Sequence, residues 1–524
     1  MTTHRLGIDV GGTNTDAVIL DDTDEPIAKT KTPTSEDVTA GILNALDDVL
    51  ARSPVSADDL SHVMLGTTHA TNAITERRDL NRVGVIRIGA PATRSIRPLL
   101  EWPDGLADAV GDNVAIVDGG HEFDGREIND VDEREVRRVV RDFGEVDAYA
   151  VTGVFSPVRD NHEERVAEIV REEVGEDATV SLSNQIGSVG LLERENATAL
   201  NAALTSVAET AATAFVDAME ERGIQADLFF GQNDGTLMNV EYALKYPIFT
   251  VASGPSNSVR GAAYLSDVRD GIIVDVGGTT TDVGALTDGF PRESSVAVEI
   301  GDVKTNFRMP DVISVGVGGG SRVSVGGDGQ GAEKGGSVTV GPESVGYRLT
   351  EEGLAFGGDT LTATDVEVAA GSVDIGDSRP DVDQRTIDGA RSYVRGEIEQ
   401  AVDRMKTSAE PVPVVVVGGG SILVPENLAG ARAVHKPDHY EVANAVGVAI
   451  AQVSGQVDRI YSLDEMEREA AMEDARSEAT ANAVEAGADP DTVEVVDVEE
   501  VPLSYLPGNA VRIKVKTAGE LDHA

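Results

Sequence analysis

The octet Asp-Val-Gly-Gly-Thr-x-Thr-Asp occurs twice in this chain, at residues 9–16 and 275–282. Glycines at the tip of a turn let backbone N–H groups approach a bound anion, and the threonine hydroxyls add further donors. A carboxylate beside such an anion needs a cation between them, and Mg²⁺, which binds carboxylates largely through water, suits that place. The repeat therefore predicts a polyphosphate site with a metal ion held by Asp9 and Asp275.

The residues after each glycine pair have a strand pattern, so each octet is predicted to form the tip of a β-hairpin. A single loop of this kind is typical of an ordinary turn. Two copies at matching places favour two loops that hold one polyphosphate from opposite sides of a cleft.

A third glycine tip, "VVVVGGGSILVP" at residues 414–425, follows a strand pattern of the buried type. One interpretation is a simple turn from strand to helix. The other is a surface on which the adenine and ribose of a nucleotide pack against exposed backbone.

The composition limits the possible partners. The formal net charge is −49, with 92 Asp and Glu residues against 43 Lys and Arg. Such a field repels nucleic acid. A carboxylate-rich surface also keeps a protein soluble where salt screening is strong, which predicts a salt-rich cytoplasm.

The chain has no cysteine, which excludes disulfides, thiol nucleophiles and cysteine-bound zinc. No apolar run is long enough for a membrane span, and the first residues lack the pattern of a secretory signal. We therefore expect a cytoplasmic protein without a membrane anchor.

The regions between the motifs alternate between strand and helix patterns. Residues 4–32 and the elements after them predict one mixed sheet with helices packed on it. An alanine-rich helix at 193–223 is predicted to cross to a second half, where the same order of elements recurs. The predicted fold is α/β, with two pseudo-symmetric domains (1–190 and 191–455) around a cleft and a small C-terminal helix-and-hairpin segment (456–524).

The three glycine motifs, in this order, resemble those of the actin/Hsp70/hexokinase superfamily, whose domains are ribonuclease H-like. The finer resemblance is to the A-type subunits of the hydantoinase/oxoprolinase family, and it extends from residue 4 to about 455. The stretches that carry it are "GTTHATNAI" (66–74), "DGGHEFDGREI" (118–128), "VFSPVRDNHEE" (154–164), "ERENATALNAAL" (193–204), "SGPSNSVRGA" (253–262), "DVISVGVGGGS" (311–321), "VGPESVG" (340–346) and "ANAVGVAIA" (443–451).

The resemblance implies an ATP-dependent enzyme that phosphorylates a carbonyl or carboxylate oxygen of a small cyclic amide or related substrate. A B-type partner subunit then completes ring opening or carboxylation, which implies a homo- or hetero-oligomer. ATP and Mg²⁺ are the implied cofactors, with Mn²⁺ or K⁺ as alternative ions. The implied nucleotide-binding residues are Gly11, Gly12, Thr13, Asn14 and Thr15 in the first loop, Gly277, Gly278, Thr279, Thr280 and Thr281 in the second, and Gly418, Gly419, Gly420 and Ser421 in the adenosine loop.

The resemblance also implies roles near the acceptor. Asp9 and Asp275 would organise the metal, and Asp275 or Asp282 would orient the acceptor. The implied acceptor side consists of Thr67, Thr68, Thr71, Asn72, Asp311 and the glycine run 318–321. Residues Ser253, Gly254 and Pro255 correspond to a family loop near the hinge.

Two histidines allow both a structural and a functional interpretation. His69 lies in the threonine-rich stretch and is a candidate substrate contact. His162 stands at a helix start beside Glu163, where capping is the simpler explanation.

The sequence departs from the large family members after residue 346, where it lacks their Pro-Gly-Pro and Cys-Tyr-Gly runs. We expect the acceptor site to be altered as a result. A stand-alone small-molecule kinase on the same fold is the alternative function. An actin- or Hsp70-like binding protein is a third possibility, disfavoured because no peptide-binding domain is apparent.

Overall fold

The computed structural model describes residues 4–34, 38–294, 298–307, 309–326, 338–504, 506 and 508–522. Its strands are β1 (His4–Val10), β2 (Asn14–Leu20), β3 (Pro26–Pro33), β4 (Leu60–Gly66), β5 (Val83–Ala90), β6 (Val114–Asp118), β7 (Ala148–Gly153), β8 (Val180–Leu182), β9 (Asp227–Gly231), β10 (Leu237–Asn239), β11 (Gly271–Val276), β12 (Thr281–Thr287), β13 (Phe290–Pro291), β14 (Val298–Ile300), β15 (Val303–Thr305), β16 (Val312–Val315), β17 (Ser321–Val325), β18 (Val338–Ser344), β19 (Val412–Val417), β20 (Ala431–His435), β21 (Val453–Ser462), β22 (Glu494–Pro502) and β23 (Ala510–Gly519). Its α-helices are α1 (Val38–Arg52), α2 (His69–Glu76), α3 (Asp104–Val110), α4 (Glu133–Phe143), α5 (Asn161–Val174), α6 (Leu191–Glu221), α7 (Val240–Lys245), α8 (Ser253–Ser266), α9 (Leu349–Glu352), α10 (Ala363–Ala370), α11 (Gln384–Met405), α12 (Ala443–Ala449) and α13 (Arg468–Glu485).

The largest sheet has nine strands in the order β22-β23-β21-β10-β9-β4-β1-β2-β3. β1 pairs antiparallel with β2 and parallel with β4. The alternating residues Leu6, Ile8 and Val10 of β1 are buried in one cluster with Ile42 of α1. This apolar face fixes the strand in the core, so its opposite face brings Asp9 to the carboxyl edge of the sheet.

A six-stranded sheet in the second half repeats this arrangement. Its order is β13-β12-β11-β19-β20, with β16 paired to β12. β11 pairs antiparallel with β12 and parallel with β19, as β1 does with β2 and β4. The register repeats as well, since Asp9 lies opposite Asp16 and Asp275 lies opposite Asp282.

The first half contains a further sheet that the sequence does not predict. Strands β5 to β8 form a parallel sheet in the order β6-β5-β7-β8, separate from β1–β4. The prediction of one mixed sheet in this half is therefore wrong. One face of the additional sheet packs on α6 and the other on α4 and α5, so its strands are apolar on both faces. Such strands cannot be distinguished by pattern from strands that extend an existing sheet.

Helix α6 was predicted at 193–223 as the crossing between the halves. Its first turns pack beside the four-stranded sheet, whereas Phe215 and Met219 near its end are buried in the core of the nine-stranded sheet. α6 therefore connects the two sheets of the first half. The chain crosses to the second half at α8, which covers the six-stranded sheet. α12 covers the nine-stranded sheet and packs against α8.

The C-terminal residues extend the first sheet. β21 meets β10, β23 pairs with β21, and β22 pairs with β23. α13 covers this extension with an alanine-lined buried face. The helix and hairpin expected here are thus continuous with the sheet that contains Asp9. Across the described residues, no helix combines the length and the apolar character needed to cross a membrane.

Candidate functional site

The two repeated octets form matching hairpin tips. Gly11 N–H donates to Asn14 O at 2.9 Å, and Gly277 N–H donates to Thr280 O at the same distance. The tips meet across the cleft, where the Oγ1 atoms of Thr13 and Thr279 are 3.2 Å apart. The predicted pair of facing loops is therefore present in the backbone.

Asp9 lies at the base of the first tip and is only 2% exposed. Its Oδ1 accepts a hydrogen bond from Asn257 Nδ2 at 2.7 Å, and its Oδ2 accepts one from Asn444 Nδ2 at 2.9 Å. Burial raises the pKa of Asp9 to about 6, although the two amides favour the ionised form. Amides from α8 and α12 thus fix the carboxylate beside the first loop.

Asp275 occupies the same place in the second half. Ser258 Oγ, on α8, donates to Asp275 Oδ2 at 2.5 Å. Burial raises the pKa of Asp275, and this hydrogen bond opposes the shift. One helix therefore holds both carboxylates, through Asn257 and Ser258 at adjacent positions.

A glycine on the neighbouring strand end accommodates each carboxylate. A Cβ at Gly66 would overlap Asp9 Oδ1, and a Cβ at Gly418 would overlap Asp275 Oδ1. Gly418 also has φ +85°, a left-handed conformation that favours glycine. Gly418, the first residue of the adenosine loop, must therefore be small, because Asp275 occupies the space beside it.

The second aspartate of each octet has a different partner in each half. Asp16 is buried and forms an ion pair with Lys31 Nζ at 2.5 Å. Asp282 instead accepts a hydrogen bond from Ser314 Oγ, and burial raises its pKa to about 6. The repeat is therefore symmetric in backbone and asymmetric in charge.

The tips, the carboxylates and the adenosine loop surround one cavity of about 540 Å³. The residues predicted from the sequence that line it are Asp9, Gly11, Gly12, Thr13, Asn14, Thr67, Thr68, Thr71, Ser253, Gly254, Pro255, Asp275, Gly277, Gly278, Thr279, Thr280, Asp282, Gly319, Gly418, Gly419 and Gly420. Residues more than 400 positions apart in the chain thus converge on one space between the two halves.

Three side chains predicted to bind nucleotide lie in the core instead. Thr15 and Thr281 are each 0% exposed, and Thr281 Oγ1 donates to Val317 O at 2.6 Å. They are the strand residues just before Asp16 and Asp282, so alternation directs them to the opposite face. Ser421 is likewise buried.

Three residues predicted on the acceptor side do not line the cavity. The His69 ring is hydrogen-bonded to Thr67 Oγ1, and Asn72 follows it on α2. Asp311 forms an ion pair with Arg292 at 2.6 Å, next to the six-stranded sheet. The residues of this set that line the cavity are Thr67 and Thr68 ahead of α2, Thr71 in its first turn, and Gly319.

The glycine run 318–321 supports the second tip from behind. Gly319 N–H donates to Gly277 O at 3.0 Å, and Gly320 N–H donates to Gly278 O at 2.7 Å. Of this run, only Gly319 lines the cavity. The run therefore fixes the backbone of the second tip.

His162 lies outside the cleft, in a cluster with His121 and Glu127 whose ligand atoms are within 4.8 Å of one another. Gly120 N–H donates to His162 Nδ1 at 3.0 Å. Burial lowers the pKa of His162, so the neutral ring carries its proton on Nε2, which faces Glu127 at 3.4 Å. A proton at that nitrogen favours a hydrogen-bonded pair over a metal centre.

Sequence reasoning missed five residues of the site: Asn257, Ser258, Asn444, Asp16 and Lys31. Asp16 carried a usable signal, because it occupies the position of Asp282 in the first octet. Asn257, Ser258 and Asn444 lie within stretches that carry the family resemblance, but nothing in a helix pattern indicates which polar residue will face a carboxylate of another segment, and Lys31 carried no signal.

A second cavity, of about 720 Å³, opens beyond the adenosine loop. Its lining combines the loop residues Ile422 to Pro425 with charged side chains of α11 and with Lys436. Lys436 Nζ donates to Ser421 O and Val424 O at 3.0 and 2.8 Å, which fixes the loop.

Comparison with known proteins places the chain in a family. The model of the hydantoinase/oxoprolinase N-terminal region matches residues 5–174, and the hydantoinase/oxoprolinase model matches residues 194–377. The chain is 28% identical to the acetophenone carboxylase gamma subunit of Aromatoleum aromaticum, over 82% of this chain and 61% of that protein. It is 25% identical to the caprolactamase subunit alpha of Pseudomonas jessenii, over 76% of this chain and 60% of that protein. The chain thus matches less than two thirds of the length of these relatives.

Solved structures share the fold. The crystal structure of the ATP-dependent caprolactamase from Pseudomonas jessenii has a TM-score of 0.78 at 20% identity, over 99% of this chain and 88% of that chain. Nucleotide-free acetone carboxylase has a TM-score of 0.69 at 18% identity, over 100% of this chain and 88% of that chain. The α/β fold class predicted from the sequence is confirmed. Together with the two matched family models, the doubled hairpin site identifies this chain as a member of the hydantoinase/oxoprolinase family.

Proposed function

We propose that this chain is the ATP-dependent A-type subunit of a two-component enzyme. It would phosphorylate a carbonyl oxygen of a cyclic amide or related small molecule, and a B-type partner would complete hydrolysis or carboxylation. The observation that carries the proposal is the pair of facing hairpin tips, each with a hydrogen-bonded aspartate at its base, around one cavity.

The geometry suits a nucleotide that spans the two cavities. Adenosine would pack on Gly418, Gly419 and Gly420, with the base directed into the 720 Å³ cavity beyond them. The phosphates would lie between the tips at 11–13 and 277–279, where backbone N–H groups and hydroxyls supply donors. Phosphoryl transfer depends chiefly on positioning and charge neutralisation, which such a clamp supplies.

The donor set suits Mg²⁺. The groups near the phosphate space are oxygens, chiefly the carboxylates of Asp9 and Asp275, and Mg²⁺ prefers oxygen ligands with several retained waters. When bound, the ion would neutralise phosphate charge. Asn257, Asn444 and Ser258 would keep both carboxylates in place before the ion arrives.

The acceptor would lie on the side of Thr67, Thr68 and Asp282. The threonine hydroxyls line the cavity and can donate to a carbonyl oxygen. Asp282, with a pKa raised to about 6 by burial, would orient the acceptor from the opposite side. An amide is a poor electrophile, and phosphorylation of its oxygen supplies a better leaving group for the step assigned to the partner.

A partner is part of the proposal because the relatives are described as subunits of larger enzymes. The proposed substrate class is cyclic amides and ketones, because the names of those relatives refer to a lactam and to ketones. The acidic surface calls for assays in molar KCl, where the net charge of −49 is screened.

The test is a screen of cyclic amides and ketones for stimulated ADP release from MgATP, with and without a co-expressed B-type subunit. We expect substrate-dependent ADP release that falls at least 100-fold in Asp275→Ala and is unchanged in Asp22→Ala, an exposed turn residue. Absence of MgATP binding, or an unaffected Asp275→Ala variant, would contradict the proposal. A stable phosphorylated product formed without any partner would instead support a stand-alone kinase.

A further inference from the structure

We propose that Lys31 is the cation of this chain that binds the nucleotide phosphates, and that Asp16 positions it. The inference rests on the proposed nucleotide site and adds a residue that the motifs do not identify. Lys31 lies on β3, outside both octets and outside the adenosine loop.

The charge balance of the cavity is the first observation. Among the described residues that line it, Lys31 is the sole lysine, arginine or histidine. The acidic side chains that line it are Asp9, Asp16, Asp275, Asp282 and Glu441. A nucleotide polyphosphate adds further negative charge, so a fixed cation in this space is a strong attraction for it.

All three N–H donors of Lys31 Nζ are in use, and a ligand would replace one of the present bonds. Lys31 Nζ lies 2.5 and 2.7 Å from the two Asp16 oxygens and 3.0 Å from Glu441 O. An ammonium has three protons, and one of them suffices to keep the ion pair with a carboxylate. A phosphate oxygen can therefore accept a hydrogen bond from Lys31, in place of one of the two bonds to Asp16, while the other Asp16 oxygen keeps the ion pair.

The position of Lys31 matches the expected course of the nucleotide. Its Cε lies 3.2 Å from where a Cβ of Gly419 would stand, so the side chain rests against the middle of the adenosine loop. A nucleotide with its sugar on that loop and its terminal phosphates between the tips must pass this ammonium group.

The broken symmetry of the repeat is an independent observation. In the first half, Lys31 lies opposite Asp16 across the β2–β3 ladder. In the second half, Ser314 lies opposite Asp282 across the β12–β16 ladder. Lys31 places a positive charge beside Asp16, where it would neutralise phosphate. Asp282 has Ser314 at the matching place instead of a cation, which suits a carboxylate on the acceptor side.

The simpler alternative is that Lys31 only neutralises the buried Asp16. The two cases differ in a double variant, because Lys31→Met/Asp16→Asn removes both charges and leaves no unpaired carboxylate. If Lys31 binds phosphate, the double variant still lacks the phosphate contact. If Lys31 is only a counter-ion, the double variant regains nucleotide affinity.

The experiment is calorimetric titration of wild type, Lys31→Met, Lys31→Arg and the double variant with adenosine, ADP and ATP, at constant Mg²⁺ and KCl. We expect Lys31→Met and the double variant to bind ADP and ATP about 10- to 100-fold more weakly, the range for a lost charged hydrogen bond. Adenosine affinity should be unchanged, and Lys31→Arg should retain part of the ADP affinity.

Wild-type ADP affinity in the double variant would overturn this inference while leaving the proposed function intact. So would an equal loss for adenosine and ADP. Absence of nucleotide binding by the wild type would overturn both proposals.

Discussion

Replacement of Asp9 by asparagine should stabilise the empty protein at alkaline pH, although it removes a group that the proposed mechanism requires. Burial raises the pKa of Asp9 from 3.8 to about 6. The folded state therefore binds the Asp9 proton more tightly than the unfolded chain does. The corresponding stability is fully present below about pH 4 and is lost as the pH rises through 6.

The magnitude follows from the two pKa values. At about 1.4 kcal/mol per pKa unit, ionised Asp9 costs the folded state ~3 kcal/mol at pH 8. About half of that cost already applies at pH 5. The free energy of unfolding of the wild type therefore falls by ~1.4 kcal/mol between pH 5 and pH 8 through Asp9. Asparagine cannot ionise, but it can no longer accept from both Asn257 and Asn444, which costs about 1–2 kcal/mol at every pH.

The assay is urea unfolding followed by far-ultraviolet circular dichroism at fixed KCl, without Mg²⁺ or nucleotide. The free energy of unfolding of Asp9→Asn, relative to wild type, should rise by ~1.4 kcal/mol from pH 5 to pH 8. Asp22→Asn, at an exposed turn, is the matched control. Parallel pH profiles for Asp9→Asn and wild type, or a relative loss of stability with rising pH, would refute the reasoning.

The remaining predictions concern glycine and a buried ion pair. Gly418→Ala should abolish measurable ADP binding and lower the melting temperature, because its Cβ would overlap Asp275 Oδ1 at a φ of +85°; wild-type ADP affinity would contradict this. Gly396→Ala, in α11 with open space around its Cβ, should raise the free energy of unfolding by about 1 kcal/mol, which urea titration measures. Arg87→Met should cost about 3–5 kcal/mol by the same titration, because it leaves the 1% exposed Glu195 unpaired in the core. Arg87→Met/Glu195→Leu should recover most of that loss, and failure to recover it would indicate that packing dominates.

The sequence carried strong information wherever a function depends on local backbone. The two octets predicted hairpin tips, and the structure has both, in the same register. This succeeds because a glycine turn and the strands beside it are specified by neighbouring residues. The order of glycine motifs also predicted the family, which the family models confirm.

Sequence patterns did not predict which strands join the same sheet. Strands β5 to β8 form their own sheet, and the C-terminal strands join the sheet of β1. Apolar periodicity reports that a strand is buried, but it does not report which neighbour buries it. Pairing between strands hundreds of residues apart is decided by the packing of whole layers.

The sequence by itself determined the two glycine-tipped hairpins, the repeat of α/β halves and the acidic character of the chain. Tertiary structure alone decided which polar side chains meet there. Asn257 and Ser258 reach two different carboxylates because α8 passes between the halves, and Asn444 joins them because α12 packs on α8. Lys31 faces Asp16 because β3 pairs with β2 in one register. These contacts follow from how helices and sheets pack in three dimensions, which the local pattern of residues does not encode.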